Sequence, residues 1–384
     1  MKIKLSKILL NTFLLTLTLH VFAGEKGTPG MDESDNSEPG KETESPKEAE
    51  SKKKRKSTPT GLSSEQIAKK KEVLEKILKY GSNKERKEAM REVIHFPREH
   101  SETLYQEIAK ILTEESDMGV KIACLRALSE VDYSRESKQI ISAIADKNDD
   151  VREAAILAVQ RLKLEDATPE LLSFIKGQDF SKNQAITGGA ITALSELNSG
   201  KLAAEFLEEK FREKNTHTNT RSSIALYFGK VKDIRAEGAL IEVASDESED
   251  PMTRAYAVHA LGKMSSQKSI PKLKGILDRI NEAKSKLEIK KLSNLKIHCI
   301  AALVILGDTE ILKELVSYAK DDDPNVRLRA VKQLGEIENN PEVIELLEYK
   351  AQRDPSKKVQ EVAKKALEDL KKKPAPTPET EPKK

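Results

Sequence analysis

From residue 61 onward, the apolar residues of the chain recur three or four positions apart, a spacing that places side chains on one face of an α-helix. A clear example is DDDPNVRLRAVKQLGEI (residues 321–337), where Val326 is followed by apolar residues four, eight and eleven positions later. The same template recurs with its first position at residues 86, 120, 151, 186, 220, 253, 295, 326 and 359. Successive first positions lie 34, 31, 35, 34, 33, 42, 31 and 33 residues apart. The pattern therefore predicts nine internal repeats.

Each repeat has room for two short helices joined by turns. An amphipathic segment precedes each template, for example LYQEIAKIL at residues 104–112 and PEVIELLEYKA at residues 341–351. Thr168-Pro169 and Asn340-Pro341 predict helix starts, because Thr and Asn cap free backbone N–H groups and Pro fits the first helical position. Each repeat is thus predicted to be a two-helix unit.

These units resemble the HEAT-repeat family, including its phycobilisome-lyase-type HEAT-like variant. The family pattern has Asp and Pro in the turn, then Val-Arg, Ala, Ala-Leu and a final Leu, as in DDDPNVRLRAVKQL (residues 321–334) and, without the Pro, DDVREAAILAVQRL (residues 149–162). The resemblance implies an all-α, armadillo-type fold, a right-handed α-α superhelix (solenoid) of about nine two-helix HEAT-like repeats over residues 61–370. It implies no single function, because the family includes scaffolds, adaptors and a few enzymes.

The ends of the chain have a different composition. Residues 1–23 combine a basic start, an apolar run and the sequence Val-Phe-Ala, which predicts a cleaved signal peptide and an exported protein, periplasmic or secreted. A retained membrane anchor is the weaker alternative, because the apolar run is interrupted by polar residues and is shorter than the roughly 20 residues that span a bilayer. Residues 24–60 are predicted to be a disordered linker, first acidic and then basic, and residues 371–384 a disordered Lys/Pro-rich tail. The basic part of the linker is Lys52, Lys53, Lys54, Arg55 and Lys56.

Composition supports a helical surface over a thin core. Charged residues make up 34% of the chain, aromatic residues 4%, and Trp is absent. The formal net charge of +3 is too small to indicate a nucleic-acid partner for the whole chain.

Two repeated positions have predicted structural roles. We number each template from its first position, so that the next residue is position +1. Position +1 is basic in seven of the nine repeats, and acids precede it in the turn, which predicts a ladder of charged hydrogen bonds between neighbouring repeats. Cys124 and Cys299 both occupy position +4, which is expected to be buried. Five repeats separate them, which corresponds to about 45 Å and excludes a disulfide between them.

The sequence contains no motif for catalysis or for a bound cofactor. HExxH, paired His-Glu, Cys-x-x-Cys, GxSxG and Gly-rich phosphate loops are all absent, and DDDPN lacks the ligand spacing of a helix-loop-helix calcium site. Paired His and Glu are what the resemblance would require of the hydroxylases in this family. We therefore predict no catalytic residue, no cofactor and no metal.

Position +6 of the second helix is the first candidate for recognition. It is charged at both ends of the array but carries no fixed charge over five consecutive repeats, and we expect it to form a concave groove for a partner helix or peptide. The alternative is that superhelical twist buries these positions against the next repeat. The five residues are Leu157, Thr192, Leu226, His259 and Ala301.

Position +3 gives a second candidate. Most repeats have a small residue there, but three consecutive repeats carry Tyr256, His298 and Arg329, which are expected to lie side by side. The alternative is a purely structural packing role.

The long interval between residues 253 and 295 gives a third candidate. It indicates an insertion near residues 284–291, expected to be a loop, that carries Lys284, Lys286, Lys290 and Lys291. This basic insertion would either dock an acidic partner or offset the acidic stretch at residues 233–250.

Together these features predict an exported, non-enzymatic scaffold or adaptor that binds a protein segment along the concave face. The alternative is an envelope-structure protein that binds anionic lipid or polymer through the linker residues Lys52–Lys56 and the basic insertion. An enzyme of unknown reaction is the third possibility.

Overall fold

The computed structural model describes residues 63–372, which contain eighteen α-helices, seven short 3-10 helices and no β-strand within that range. The predicted signal peptide (1–23), the linker (24–60) and nearly all of the tail lie outside the described residues. Lys371 and Lys372, assigned to the tail from the sequence, belong to the last helix. None of the described helices is long and apolar enough to cross a membrane.

The described helices form nine successive pairs. The first helices of the pairs are α1 (Ser64–Tyr80), α3 (Glu102–Glu114), α5 (Ser137–Ser142), α7 (Thr168–Lys176), α9 (Ala204–Arg212), α11 (Glu237–Ser245), α13 (Ile270–Asn281), α15 (Leu312–Tyr318) and α17 (Pro341–Arg353). The second helices are α2 (Asn83–Ile94), α4 (Met118–Glu130), α6 (Asp149–Leu162), α8 (Ala185–Glu196), α10 (Thr218–Val231), α12 (Pro251–Lys263), α14 (Lys286–Ile305), α16 (Pro324–Leu334) and α18 (Lys357–Lys372). Every template begins within a second helix, and each second helix packs against the next one along the array. The prediction of an all-α solenoid is confirmed.

The template positions have the packing roles that their spacing predicts. At position +4, the Cys124 Sγ and Met90 Sδ atoms of neighbouring repeats lie 3.8 Å apart. Both cysteines are free and buried, with no exposed area. The core runs along the whole array as one continuous cluster of Leu, Ile, Val and Ala side chains. Each two-helix unit is therefore stabilised by burying its apolar face against its neighbours.

Part of the predicted ladder of charged hydrogen bonds is present on the spine. The Lys121 Nζ atom donates to Asp146 at 2.6 Å, Lys296 pairs with Glu314 at 2.7 Å, and Arg327 donates to Asp354. Each of these three side chains reaches an acid in the following repeat, whereas Lys87 and Arg254, also at position +1, form no ion pair with a described residue. Arg327, the first Arg of DDDPNVRLRAVKQLGEI, thus has a structural role.

Helix starts agree with the sequence in one case and not in the other. The Asn340 side chain accepts a hydrogen bond from the Val343 backbone N–H at 3.1 Å, as predicted. Thr168 is not a cap: a 3-10 turn precedes it, Thr168 is itself the first residue of α7, and its hydroxyl bonds to Ser199 at 2.7 Å. A turn that leads directly into the helix removes the need for a side-chain cap.

Most of the insertion is helical and not a loop. Residues 286–291 form the N-terminal end of α14, which is 20 residues long, and Lys284 lies in the short connection before it. The expectation of a loop was wrong because KLEIKKLSN (residues 286–294) contains no Gly or Pro and is rich in good helix formers, so the extra residues continue the helix.

The second helices approach one another closely in the second half of the array. A Cβ atom added to Gly229 would lie 3.0 Å from the Ala260 Cα atom, and one added to Gly262 would lie 3.1 Å from the Ala302 Cα atom. Helices packed 8 to 10 Å apart would place α12 and α16 about 16 to 20 Å apart on a flat row. Lys263 of α12 nevertheless forms an ion pair with Glu336, just beyond the end of α16, across α14. This contact is expected on the inner side of a curved array.

Candidate binding face on the second helices

We call the surface formed by positions +3 and +6 of the second helices the second-helix face. At position +6, Leu157 is 47% exposed and Leu226 is 40% exposed. Thr192 lies between them, half-buried, and its hydroxyl donates to the Gly188 carbonyl at 2.8 Å. The middle of the array therefore presents two apolar side chains to solvent on this face.

Ala301 does not reach this surface. It is 1% exposed, because α14 packs closely against both α12 and α16. Its position in the repeat alone predicted that Ala301 would line the groove. The alternative for position +6, burial against the neighbouring repeats, applies to this residue. Ala301 is therefore removed from the candidate contacts.

Position +3 forms a floor of small residues in the first half of the array. Ala123, Ala154, Gly189 and Ser223 occupy this position in four successive repeats. A Cβ atom built on Gly189 would meet no atom within 4 Å, so the surface above it is open. The small residues of position +3 are visible in the sequence, but their place beside the leucines of position +6 depends on how neighbouring repeats pack.

Three aromatic rings meet where α12 packs on α14. The ring centroids of Tyr256 and His298 are 6.0 Å apart, and those of His259 and His298 are 5.6 Å apart, both in edge-to-face arrangements. The structure thus brings Tyr256 and His298 into ring contact, and Arg329, the third residue predicted to be their neighbour at position +3, lies close enough for its charge to act on both. It adds His259 from position +6, which the sequence had placed in a separate row.

Burial and positive neighbours set the charge state of these rings. Burial lowers the pKa of His298 to about 3, and the positive charges of Arg329 and Lys332 act in the same direction. Burial also lowers the pKa of His259. Burial raises the pKa of Tyr256 to about 12. All three side chains are therefore neutral at pH 7, and the His298 Nδ1 atom is buried without a hydrogen-bond partner in the part of the chain that the structure describes.

Beyond the rings, the second-helix face becomes cationic. Arg329 is half-buried, and Lys332 and Lys365 are exposed at position +6 of the last two repeats. We call these three residues the cationic end. Between residues 63 and 372, none of them forms a hydrogen bond or an ion pair.

The lysines of the inserted segment, which we call the α14 extension (residues 284–291), lie elsewhere. Lys286, Lys290 and Lys291 are exposed in the first turns of α14, and Lys284 is exposed just before the helix. Leu287 beside them is 78% exposed. Other basic residues of the long interval between residues 253 and 295 do offset the acidic stretch at residues 233–250. Arg279 pairs with Glu247 at 3.0 Å, and Lys268 pairs with Glu237 at 3.6 Å.

A shallow pocket between α2 and α4 was not anticipated from the sequence. Arg91 and Arg126 are among its lining residues, together with Ile94, Ile122 and Ala123. Its basic and apolar residues come from two repeats, so no single segment of sequence carries the signal. Among the described residues, no group of three or more His, Cys, Asp or Glu is close enough to hold a metal ion.

Comparison with known families agrees with this repeat geometry. The family model described as HEAT repeats matches residues 102–186, 211–288 and 280–368, more than half of the chain. The chain belongs to the HEAT-repeat family. No curated protein sequence matches it.

Solved structures with a similar fold are distant from this HEAT-repeat protein. The CpcE–CpcF complex of phycocyanin lyase from Nostoc sp. PCC7120 is 17% identical, with a TM-score of 0.43, over 61% of this chain and 94% of that one. The karyopherin Kap121p bound to the extreme C-terminus of the phosphatase Cdc14p is 15% identical, with a TM-score of 0.44, over 80% of this chain but only 38% of that one. Human deoxyhypusine hydroxylase is 16% identical, with a TM-score of 0.30, over 71% of this chain and 97% of that one. At these identities the likeness concerns the fold alone.

Proposed function

We propose that this HEAT-repeat protein is an exported, non-enzymatic scaffold or adaptor that binds a partner segment along the second-helix face. The observation that carries the proposal is the exposure of Leu157 and Leu226 beside an open floor of small side chains. A helix or an extended peptide can approach such a floor closely and cover both leucines.

The available energy is modest and local. Full burial of an exposed Leu side chain stabilises a complex by about 1.5 to 3 kcal/mol. Because Leu157 and Leu226 are already about half covered, each contributes about 1 kcal/mol on binding. Further contacts along the face must supply the remaining affinity.

The binding test replaces Leu157 and Leu226 together by Glu in the full chain. The matched control replaces Leu202 and Ile234 together by Glu; these are 69% and 62% exposed in the 3-10 turns before α9 and α11 and occupy neither position +3 nor position +6. Envelope proteins captured by each variant are quantified by mass spectrometry, and circular dichroism checks that the variants fold. We expect the wild type and the control to retain a partner that the Leu157→Glu, Leu226→Glu variant loses. Identical capture by all three proteins would reject the proposal.

The export part of the proposal rests on the pattern of residues 1–23. Fractionation of native cells, followed by mass determination of the protein's N-terminus, tests it. We expect the chain in the exported fraction to begin at Gly24. Recovery of the chain only from the cytoplasm, with Met1 or Lys2 at its start, would contradict export.

A second candidate function is binding of an anionic lipid or polymer surface. It is favoured by the α14 extension, where Lys284, Lys286, Lys290 and Lys291 are exposed and form no ion pair with any described residue. Such binding weakens as salt screens the charges, whereas contact with the apolar leucines persists. Co-sedimentation with phosphatidylglycerol vesicles at low and high salt separates the two candidates.

A further inference from the structure

Arg329 of the cationic end differs from most partly buried cations of this array. On the spine, several such cations have an acid within reach, as in Arg86–Glu115 at 2.9 Å and Lys121–Asp146 at 2.6 Å. Arg329 is also half-buried, yet no described carboxylate pairs with it. Glu336 lies at the adjoining position +10 but is engaged by Lys263.

The charges of the cationic end repel one another and act on the buried rings beside it. Although the Lys332 side chain reaches solvent, desolvation by the groups around it lowers its pKa, and the charge of Lys365 adds to this effect. Arg329 and Lys332 both lie close enough to His298 to disfavour its protonation. Excess positive charge is therefore concentrated over the last two repeats of the second-helix face, and an anion placed there would relieve the repulsion.

A polar atom at the same place lacks a partner. His298 is only 7% exposed, and its Nδ1 atom has no hydrogen bond within the described residues. A buried polar atom without a hydrogen bond lowers the stability of a folded protein, and such atoms are rare in native structures. The rings of Tyr256 and His259 pack edge-to-face with this ring, next to the cations.

We propose that the cationic end binds an acidic segment of the protein partner, whose Asp or Glu carboxylates pair with Arg329, Lys332 and Lys365. This inference rests on the proposed function, because the acidic segment belongs to the chain that covers Leu157 and Leu226. A planar guanidinium beside neutral rings is suited to a carboxylate, which it holds through two parallel hydrogen bonds.

The geometry also sets the spacing of the partner's residues. Leu226 and Arg329 are three repeats apart, which corresponds to about 24 to 30 Å at the usual distance between packed helices. An extended chain advances about 3.3 Å per residue, so its acids would lie about eight residues from its apolar anchor. The partner is thus expected to combine a short apolar motif with a separate acidic cluster.

The experiment measures binding of a fluorescent oligo-glutamate peptide to the full chain by anisotropy. An oligo-glutamine peptide of the same length is the probe control. The test variant is Arg329→Gln with Lys332→Gln, and the matched control is Lys286→Gln with Lys290→Gln, which removes the same charge from the α14 extension. We expect the test variant to bind the acidic peptide at least about tenfold more weakly, and the control to bind as the wild type does.

Equal weakening in both variants, or no preference for oligo-glutamate over oligo-glutamine, would overturn the inference. The chain's own acidic linker is a competing occupant, since residues 24–50 carry nine acids against three lysines. If replacement of Glu42, Glu44, Glu48 and Glu50 by Gln strengthens peptide binding, the cationic end belongs to the linker and the assignment to a partner is overturned. A partner that is lost on Leu157→Glu with Leu226→Glu but kept by the Arg329 variant would reject this inference while leaving the proposed function intact.

Discussion

Arg327 offers the sharpest test of how the repeats are joined. Its side chain is 9% exposed, and it donates from Nε and Nη2 to the two oxygens of Asp354 at 3.0 and 3.1 Å. The Nη1 atom donates to the carbonyls of Asp321 and Asp322, each at 2.9 Å. The Asp354 carboxylate is fully buried and is also held by Lys350 at 3.0 Å. One guanidinium thus connects the turn before α16 to the following repeat.

Replacement of Arg327 by Ala leaves a buried carboxylate with fewer partners. Breaking a buried ion pair from one side costs about 3 to 5 kcal/mol. Lys350 still neutralises Asp354, so we expect the lower value, about 3 kcal/mol. Arg327→Lys keeps the charge but loses the bidentate pairing with Asp354, so it should lower the free energy of unfolding by about half as much.

Arg329 supplies the matched control, two residues further along the same helix. It is half-buried on the other side of α16 without an ion pair to any described residue, so Arg329→Ala should change the free energy of unfolding by about 0.5 kcal/mol or less. Urea unfolding followed by circular dichroism gives the overall change. Because repeat arrays can unfold in parts, hydrogen exchange of α16, α17 and α18 gives the local one. Equal destabilisation by Arg327→Ala and Arg329→Ala would refute the reasoning.

Two further predictions concern pH and backbone space. Burial lowers the pKa of His298 to about 3. Between about pH 6.5 and pH 3 the unfolded chain therefore binds a proton at this residue and the folded chain does not, so the free energy of unfolding falls as the pH drops through this range. From pH 7 to pH 5 this costs about 2 kcal/mol, a dependence that urea unfolding should find reduced in His298→Gln. A Cβ atom on Gly200 would lie 1.8 Å from the Leu194 carbonyl oxygen, whereas one on Gly189 meets nothing within 4 Å. Thermal melts should therefore show Gly200→Ala destabilised by about 2 kcal/mol or more and Gly189→Ala stabilised by about 0.5 to 1 kcal/mol.

The number and pairing of the helices were predictable because each repeat carries its own local pattern. Spacing of three and four residues identifies a helix face without knowledge of its neighbours. Position +1 was assigned to the spine for the same reason, since a basic residue and an acid recur one repeat apart. These parts of the structure depend on information within one or two adjacent repeats.

The errors arose where contacts between repeats decide the outcome. Ala301 has the same position number as Leu226, but α14 is enclosed by α12 and α16 and its position +6 is covered. His259 meets His298 because position +6 of one helix lies against position +3 of the next, a relation that separate rows of residues do not reveal. The helix-forming residues of the insertion do indicate a helix, whereas the general tendency of insertions in repeat arrays to form loops predicted the opposite.

The contrast between Arg327 and Arg329 explains how such an array separates folding from recognition. Positions +1 and +3 are two residues apart, a rotation of about 200° on an α-helix, so their side chains leave on opposite sides. Position +1 turns toward the spine, where its cation closes the joint between repeats. Position +3 of this repeat turns toward the second-helix face, where Arg329 forms no ion pair with a described residue. Under the proposed function, substitutions at exposed positions +3 and +6 change what the face binds while the spine keeps the repeats in register.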